Sequence, residues 1–202
     1  MVVVTASRRR RRKRTVVSMA HIDLGLDETQ LPGITGLMAF RPETAGPLNE
    51  LANVLLVEEN SLSRGDRELI AAYVSGLNQC AFCCDSHSAF AAAQLAGGSD
   101  LVAEVRRDPK SASISNQMKA LLRIAAAVQQ GGRQVTAALV DEAKAAGATE
   151  VEIHDTVLIA AAFCMFNRYV DGLGTLVGRD SSQYAAMAQH IAAAGYGVLR
   201  PA

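Results

Sequence analysis

Helix-capping signals and glycines divide this chain into a series of helical segments. Ser63 with Asp66, and Thr149 with Glu152, have the spacing of a capping box, which opens a helix by satisfying its free backbone N–H groups. We predict helices over 47–57, from residue 63, from about residue 80 to 97, over about 118–130 and 135–146, from residue 149 to about 173, and over 182–194. No segment of useful length alternates apolar and polar residues as a half-buried strand does. The pattern predicts an all-α chain.

The apolar content supports the same fold class. Half of the 202 residues are hydrophobic, yet only 4% are aromatic and none is tryptophan, so the core must be built from Ala, Leu, Val and Ile. Alanine is the strongest helix former and allows helices to approach closely. The length suits a single domain, and no apolar run approaches the roughly 20 residues that a membrane span needs.

The segment that carries chemistry is a pair of cysteines, Cys80 and Cys83, with His87 four residues after the second and Glu68 twelve residues before the first. Cysteines at i and i+3 lie on one helical face, and a thiolate is the reactive form. We expect Cys80 in the first turn of its helix, where the dipole favours an anion, whereas His87 is placed to activate Cys83. If the two helices pack antiparallel, Glu68 can orient His87 or relay a proton. The spacing predicts a dithiol redox centre and leaves open which thiol is the more acidic.

The cysteines allow two other interpretations. Zinc would need four ligands, and the chain offers Cys80, Cys83 and His87 with Cys84 as a strained fourth. A purely structural disulfide would close too short a loop to constrain the unfolded chain much. Both are less favoured than redox chemistry, so no metal or cofactor is predicted. We expect Cys84 to point away from Cys83 as a small apolar residue, and Cys164 to lie in the core.

The arrangement Glu68…Cys80-x-x-Cys83-x-x-x-His87 resembles the alkylhydroperoxidase D-like (AhpD-like) proteins of the carboxymuconolactone decarboxylase superfamily. The resemblance covers about residues 31–177 and includes Leu31-Pro32-Gly33-Ile34 upstream and the stretch from Phe166 to Gly174 downstream. It implies an AhpD-like helical bundle, homo-oligomers that are often trimers or hexamers, and peroxide reduction through the cysteine pair.

The resemblance also implies a role for each site residue. Cys83 would attack the peroxide and become a sulfenic acid, Cys80 would resolve it to a disulfide, and His87 with Glu68 would relay the proton. The best-studied peroxidases of the family have a second histidine between the cysteines, where this chain has Phe82. The relay is therefore expected to be shorter, as in the family's peroxidase-related subgroup.

The predicted function is a thiol-dependent peroxidase that acts on a small hydroperoxide and is re-reduced by an unidentified dithiol partner, which in some family members is a lipoyl-bearing protein. The alternatives are a lyase like the superfamily's namesake decarboxylase and a non-enzymatic thiol sensor. Four cysteines without a signal peptide suggest a reducing cytoplasm.

A basic run from Arg8 to Arg14 conceals an acidic remainder. It supplies seven positive charges, which leaves 13 basic and 20 acidic residues in 19–202, a net charge of −7. We expect 1–18 to be a disordered tail or a mis-assigned start and 19–202 to be one domain, with a redox core over about 47–177. Binding of this run to nucleic acid or an anionic membrane is the less favoured interpretation.

A faint repeat suggests that the domain contains two related helical units. Leu69-Ile70-Ala71-Ala72 and Asn78 align with Leu158-Ile159-Ala160-Ala161 and Asn167 at one offset of 89 residues. The second copy lacks the thiols and carries Phe163, Phe166 and Tyr169, which we expect in the core, at a subunit interface or over the thiols. Arg168 and Asp171 have the spacing of a helix ion pair.

Overall fold

The computed structural model describes residues 20–178 and 181–196, and this part of the chain contains helices and no strand. The helices are α1 (Ile34–Phe40), α2 (Pro42–Leu56), α3 (Arg64–Leu77), α4 (Ala81–Gln94), α5 (Gly98–Arg107), α6 (Asn116–Gln130), α7 (Ala137–Ala145), α8 (Glu150–Gly172) and α9 (Ser181–Ala194), with a 3₁₀ turn over Gly132–Gln134. The all-α prediction is confirmed. The tail predicted over 1–18, with its basic run, lies outside the described residues.

The capping signals open the helices that they were predicted to open. The backbone N–H of Asp66 donates to Ser63 Oγ at 3.1 Å at the start of α3. At the start of α8 the box is complete, since Glu152 N donates to Thr149 Oγ1 at 3.2 Å and Thr149 N donates to Glu152 Oε2 at 2.7 Å. These two helices pack against each other in the bundle.

Two helix boundaries differ most from the prediction, and two helices were not predicted. Helix α2 begins at Pro42 rather than Pro47, because a proline at the first helical position needs no hydrogen-bond partner for its nitrogen. Helix α4 ends at Gln94 rather than at Gly97, and Gly97 instead precedes the unpredicted helix α5. Helix α1 was not predicted either, because its seven residues are too few to show a period.

Helices α3 and α4 form a hairpin joined by a three-residue turn, and they are the most extensively packed pair of the bundle. Helix α4 also contacts α5 and α9, while α8 packs against α3 and α6. The core is aliphatic, as the composition requires; its fully buried members include Leu69, Ile70, Leu121, Leu122, Ile124 and Ile159. Within the described ranges, no helix is both long and apolar enough to cross a lipid bilayer.

The two copies of the sequence repeat meet in the centre of the bundle. The aligned residues Asn78 and Asn167 are hydrogen-bonded to each other, with Asn78 Nδ2 donating to Asn167 Oδ1 at 2.8 Å. Asn167 also donates to Ser75 Oγ at 3.1 Å. These bonds satisfy polar groups that would otherwise be costly to bury, and they tie the end of α3 to α8.

The predicted ion pair between Arg168 and Asp171 is not formed. Arg168 instead donates to the backbone carbonyl of Cys164 at 2.8 Å, one helical turn earlier. Asp171 instead contributes, after Cys83 and burial, to the raised pKa of Cys80, so the end of α8 lies near the cysteines.

Candidate active site

The turn between α3 and α4 places the two cysteines. Cys80 N donates to Ser75 O and Gln79 N donates to Gly76 O, both at 3.0 Å, which is the bonding pattern of a Schellman motif. Gln79 has a φ of +60°, at the position where glycine is usual. The turn is tight, so the next helix starts immediately after Cys80.

Cys80 is therefore the N-cap of α4, and Cys83 rather than Cys80 lies in its first turn. Both are free thiols and both are buried, with 0% and 3% of their surfaces exposed. Hydrogen bonding to Cys83 and burial together raise the pKa of Cys80 well above that of a free thiol. The helix dipole therefore does not make Cys80 an acidic thiol in this structure.

Glu68 and His87 form a close buried pair. His87 Nδ1 lies 2.6 Å from Glu68 Oε2, and the Glu68 side chain is 1% exposed. The imidazole is also held edge-on by the rings of Phe163 and Phe90, at centroid distances of 4.5 and 5.1 Å. Because Nδ1 faces the carboxylate, only Nε2 is left for chemistry, as in the base of a nucleophile–His–acid triad.

Sequence analysis missed a third member of this group, Tyr196. Its hydroxyl donates to the other Glu68 oxygen, Oε1, at 2.6 Å and lies 3.4 Å from His87 Nδ1. Burial and the Glu68 charge raise the pKa of Tyr196 well above its ordinary value, so the phenol keeps its proton. The signal that could have found it is scarcity, since the chain has only four tyrosines.

A cavity of about 60 Å³ joins these groups. Cys83, His87 and Tyr196 line it together with Ser86, and most of the remaining wall is apolar. Four of the five phenylalanines of this aromatic-poor chain line the cavity: Phe82, Phe90, Phe163 and Phe166. Phe163 and Phe166 thus lie in the core and also line the cavity beside Cys83. Both the core and a position near the thiols were among the locations expected for them.

Comparisons with known proteins agree with this fold. The model of the carboxymuconolactone decarboxylase family matches residues 42–108, a segment that contains Glu68, both cysteines and His87. The predicted resemblance to the AhpD-like proteins of this superfamily is confirmed. A search of curated proteins finds no significant match.

Two solved structures share the AhpD-like fold. An alkylhydroperoxidase AhpD core, an uncharacterized peroxidase-related protein from Ralstonia eutropha JMP134, has a TM-score of 0.71 and 20% identity, covering 85% of this chain and 97% of its own. An uncharacterized peroxidase-related protein from Silicibacter sp. TM1040 has a TM-score of 0.69 and 22% identity, covering 89% of this chain and 98% of its own.

Phe82 occupies the position between the cysteines where some AhpD-like peroxidases have a histidine, and its ring is packed tightly there. Gly33, which has a φ of +58°, lies directly against the ring, so that a Cβ on Gly33 would sit 2.5 Å from Phe82 Cδ2. Tyr184 of α9 meets the ring edge-on at 6.0 Å. Gly33 belongs to the Leu31-Pro32-Gly33-Ile34 segment of the resemblance, and this contact gives a physical reason for a glycine in it.

The other two cysteines are separate from Cys80 and Cys83. Cys84 is buried between α4 and α3, close to Gly76, and burial raises the pKa of its thiol. Cys164 is only half-buried at the edge of the core, where it accepts a weak hydrogen bond from Asn78. Among the described residues, no three His, Cys, Asp or Glu side chains are arranged to hold a metal ion.

Proposed function

We propose that this protein is a thiol-dependent peroxidase that reduces hydroperoxides through Cys83 and Cys80. The observation that carries the proposal is the buried Glu68–His87 pair, whose ring lines the same cavity as Cys83. An acid–base pair beside a dithiol supplies the two things that peroxide reduction needs, a thiolate and a proton for the departing oxygen.

The reaction is balanced within the site apart from the reductant. His87 Nε2 takes the Cys83 proton, and the thiolate attacks the outer oxygen of the hydroperoxide. The O–O bond breaks, the proton passes to the departing alkoxide, and Cys83 becomes a sulfenic acid. Cys80 then attacks the Cys83 sulfur, which releases water and forms the Cys80–Cys83 disulfide. The raised pKa of Cys80 supports this order, since Cys80 stays protonated while Cys83 reacts.

The apolar wall of the cavity supports an organic hydroperoxide as substrate, with its alkyl group against the phenylalanines. Return to the dithiol needs an external reductant, for which we propose a second dithiol on a slender arm, such as a lipoyl group on a carrier protein. A slender arm suits thiols that are almost fully buried. A reducing compartment such as the cytoplasm would keep the pair ready to react.

The test is a free-thiol count on the reduced protein before and after one equivalent of cumene hydroperoxide. We expect rapid loss of two of the four thiols in the wild type and no such loss in Cys83→Ser. Cys164→Ser is the matched control, because Cys164 lies away from the pair, and it should lose two thiols as fast as the wild type. Equal slow loss in all three proteins would contradict the proposal.

Two other functions have one supporting observation each. The matching family model is that of carboxymuconolactone decarboxylases, which supports a lyase. Phe82 in the place of a relay histidine supports a redox sensor, whose thiols would oxidise once without turnover. A lyase activity should survive Cys83→Ser, whereas a sensor should show stoichiometric oxidation and no steady-state rate with a dithiol such as dihydrolipoamide present.

We also propose that the protein assembles as a homo-oligomer, a trimer or hexamer. Helix α8 also has an exposed apolar face, formed by residues that recur every seven positions. They are Val151, Leu158 and Met165, which are 59%, 38% and 45% exposed. Light scattering after size exclusion measures the mass directly. Leu158→Glu should lower it, while Val54→Glu, at an exposed position on α2, should leave it unchanged.

A further inference from the structure

Each oxygen of the Glu68 carboxylate has its own hydrogen-bond partner. Oε2 faces His87 Nδ1 and Oε1 accepts from the Tyr196 hydroxyl, both at 2.6 Å. The Glu68 carboxylate is only 1% exposed, so water cannot hydrogen-bond to it, and protein hydrogen-bond donors must stabilise its charge instead. Without the hydroxyl, Oε1 would lose the partner it has in this structure, and the carboxylate could rotate or take up a proton.

The backbone around Tyr196 is built to hold the ring in place. Gly195, with a φ of +72°, turns the chain out of α9, and its N–H still donates to Ile191 O at 2.9 Å. The N–H of Tyr196 then donates to Asn53 Oδ1 on α2 at 2.7 Å. The Tyr196 ring packs against His87 and Phe90, at centroid distances of 6.2 and 6.3 Å. The hydroxyl therefore reaches Glu68 from a fixed position.

We propose that Tyr196 is a positioning residue of the proton relay, whose hydroxyl fixes the Glu68 carboxylate so that His87 presents Nε2 to Cys83. This inference rests on the proposed peroxidase site. Tyr196 acts through Glu68 and does not exchange protons with the substrate, since burial and the neighbouring charge keep its phenol protonated. Helix α9 and the segment after it lie outside the residues matched by the family model, so the relay is completed by a part of the chain that the model does not include.

The proposal predicts a change in how Cys83 reactivity depends on pH. In Tyr196→Phe the ring packing is kept and the donor is lost. The carboxylate is then no longer fixed opposite His87 Nδ1, so the imidazolium that forms when His87 accepts the Cys83 proton is less stabilised. We expect Cys83 to react about 10- to 100-fold more slowly at neutral pH, the range for loss of a hydrogen bond to a charged group, and the profile to move to higher pH.

The measurement is the rate of Cys83 alkylation by iodoacetamide between pH 5 and 9, with the site assigned by peptide mass spectrometry. Tyr73→Phe is the matched control, because it removes a hydroxyl from a half-buried tyrosine on the helix that carries Glu68, away from the relay. Its profile should match the wild type. A Tyr196→Phe profile that also matches the wild type would overturn the proposal.

A double variant tests whether Tyr196 acts through Glu68. In a Glu68→Gln background, Tyr196→Phe should slow alkylation by less than twofold, because the charge that it stabilises is already gone. An undiminished effect in that background would also overturn the proposal. Alkylation needs no peroxide, so failure of Tyr196 as a positioning residue is distinguishable from failure of the peroxidase function, which the thiol count tests.

Discussion

Replacing Gly33 with alanine should displace the side chain of Phe82, which lies between Cys80 and Cys83 in the sequence. The new Cβ would lie 2.5 Å from Phe82 Cδ2, far inside van der Waals contact. Neither partner can retreat easily, because Gly33 N is bonded to Leu176 O at 2.9 Å and Phe82 is 3% exposed in a cluster with Cys80, Cys83 and Tyr184. The φ of +58° adds a cost of about 1–2 kcal/mol for a residue with a Cβ, and overpacking adds about 1–3 kcal/mol.

The expected loss of about 2–5 kcal/mol in the free energy of unfolding corresponds to a fall in melting temperature of roughly 5–20 °C for a chain of this size. Urea denaturation measures it. Gly25→Ala is the matched control, because Gly25 has a φ of +65° with nothing within 4 Å of its Cβ position. It should lose only the backbone cost of about 1–2 kcal/mol. If Gly33→Ala is no more destabilising than Gly25→Ala, the packing argument for Phe82 is refuted.

Three further predictions concern the relay, the thiols and the turn. Glu68→Gln should slow peroxide reduction by about 100-fold or more without unfolding the protein, because His87 loses its anionic partner; an unchanged stopped-flow rate would remove Glu68 from the relay. Folding raises the pKa of Cys80, so this thiol makes its full contribution to the free energy of unfolding below its unfolded-state pKa of about 8.5. At higher pH the thiol ionises in the unfolded chain, and the free energy of unfolding falls by up to about 1.4 kcal/mol per pH unit. Cys80→Ser should reduce this alkaline slope in urea titrations, and an equal slope would contradict the assignment. Gln79→Gly should stabilise the turn by about 0.5–1 kcal/mol by relieving a positive φ, whereas Gln79→Ala should not.

The local part of the site followed from the sequence because its geometry is set by short-range rules. The cap at Ser63 fixes the start of α3, and the four-residue spacing fixes His87 on the same face of α4 as Cys83. The sequence alone does not show the antiparallel packing that brings Glu68 to His87. The tight turn around Gln79 imposes the antiparallel packing of α3 and α4, because a connection of only three residues makes the second helix fold back along the first.

The parts that sequence could not predict depend on long-range contacts. Tyr196 lies 128 residues from Glu68, and no local pattern connects them. Gly33 and Phe82 are likewise paired only by the fold. The raised pKa of Cys80 also depends on tertiary structure, because it comes from burial of the thiol and its hydrogen bonding with Cys83.

Phe82 determines how the proton must travel in the proposed reaction. Its ring fills the position between the thiols where a second histidine would offer another acid. The titratable side chains on the cavity wall are then Cys83, His87 and Tyr196, and the phenol of Tyr196 is held protonated by burial and by Glu68. His87 must therefore serve as base when Cys83 ionises and as acid when the alkoxide leaves. Ionisation of Cys83 and protonation of the alkoxide thus both depend on the His87 imidazole. The hydrogen bonds that hold Glu68 against His87 therefore affect both steps.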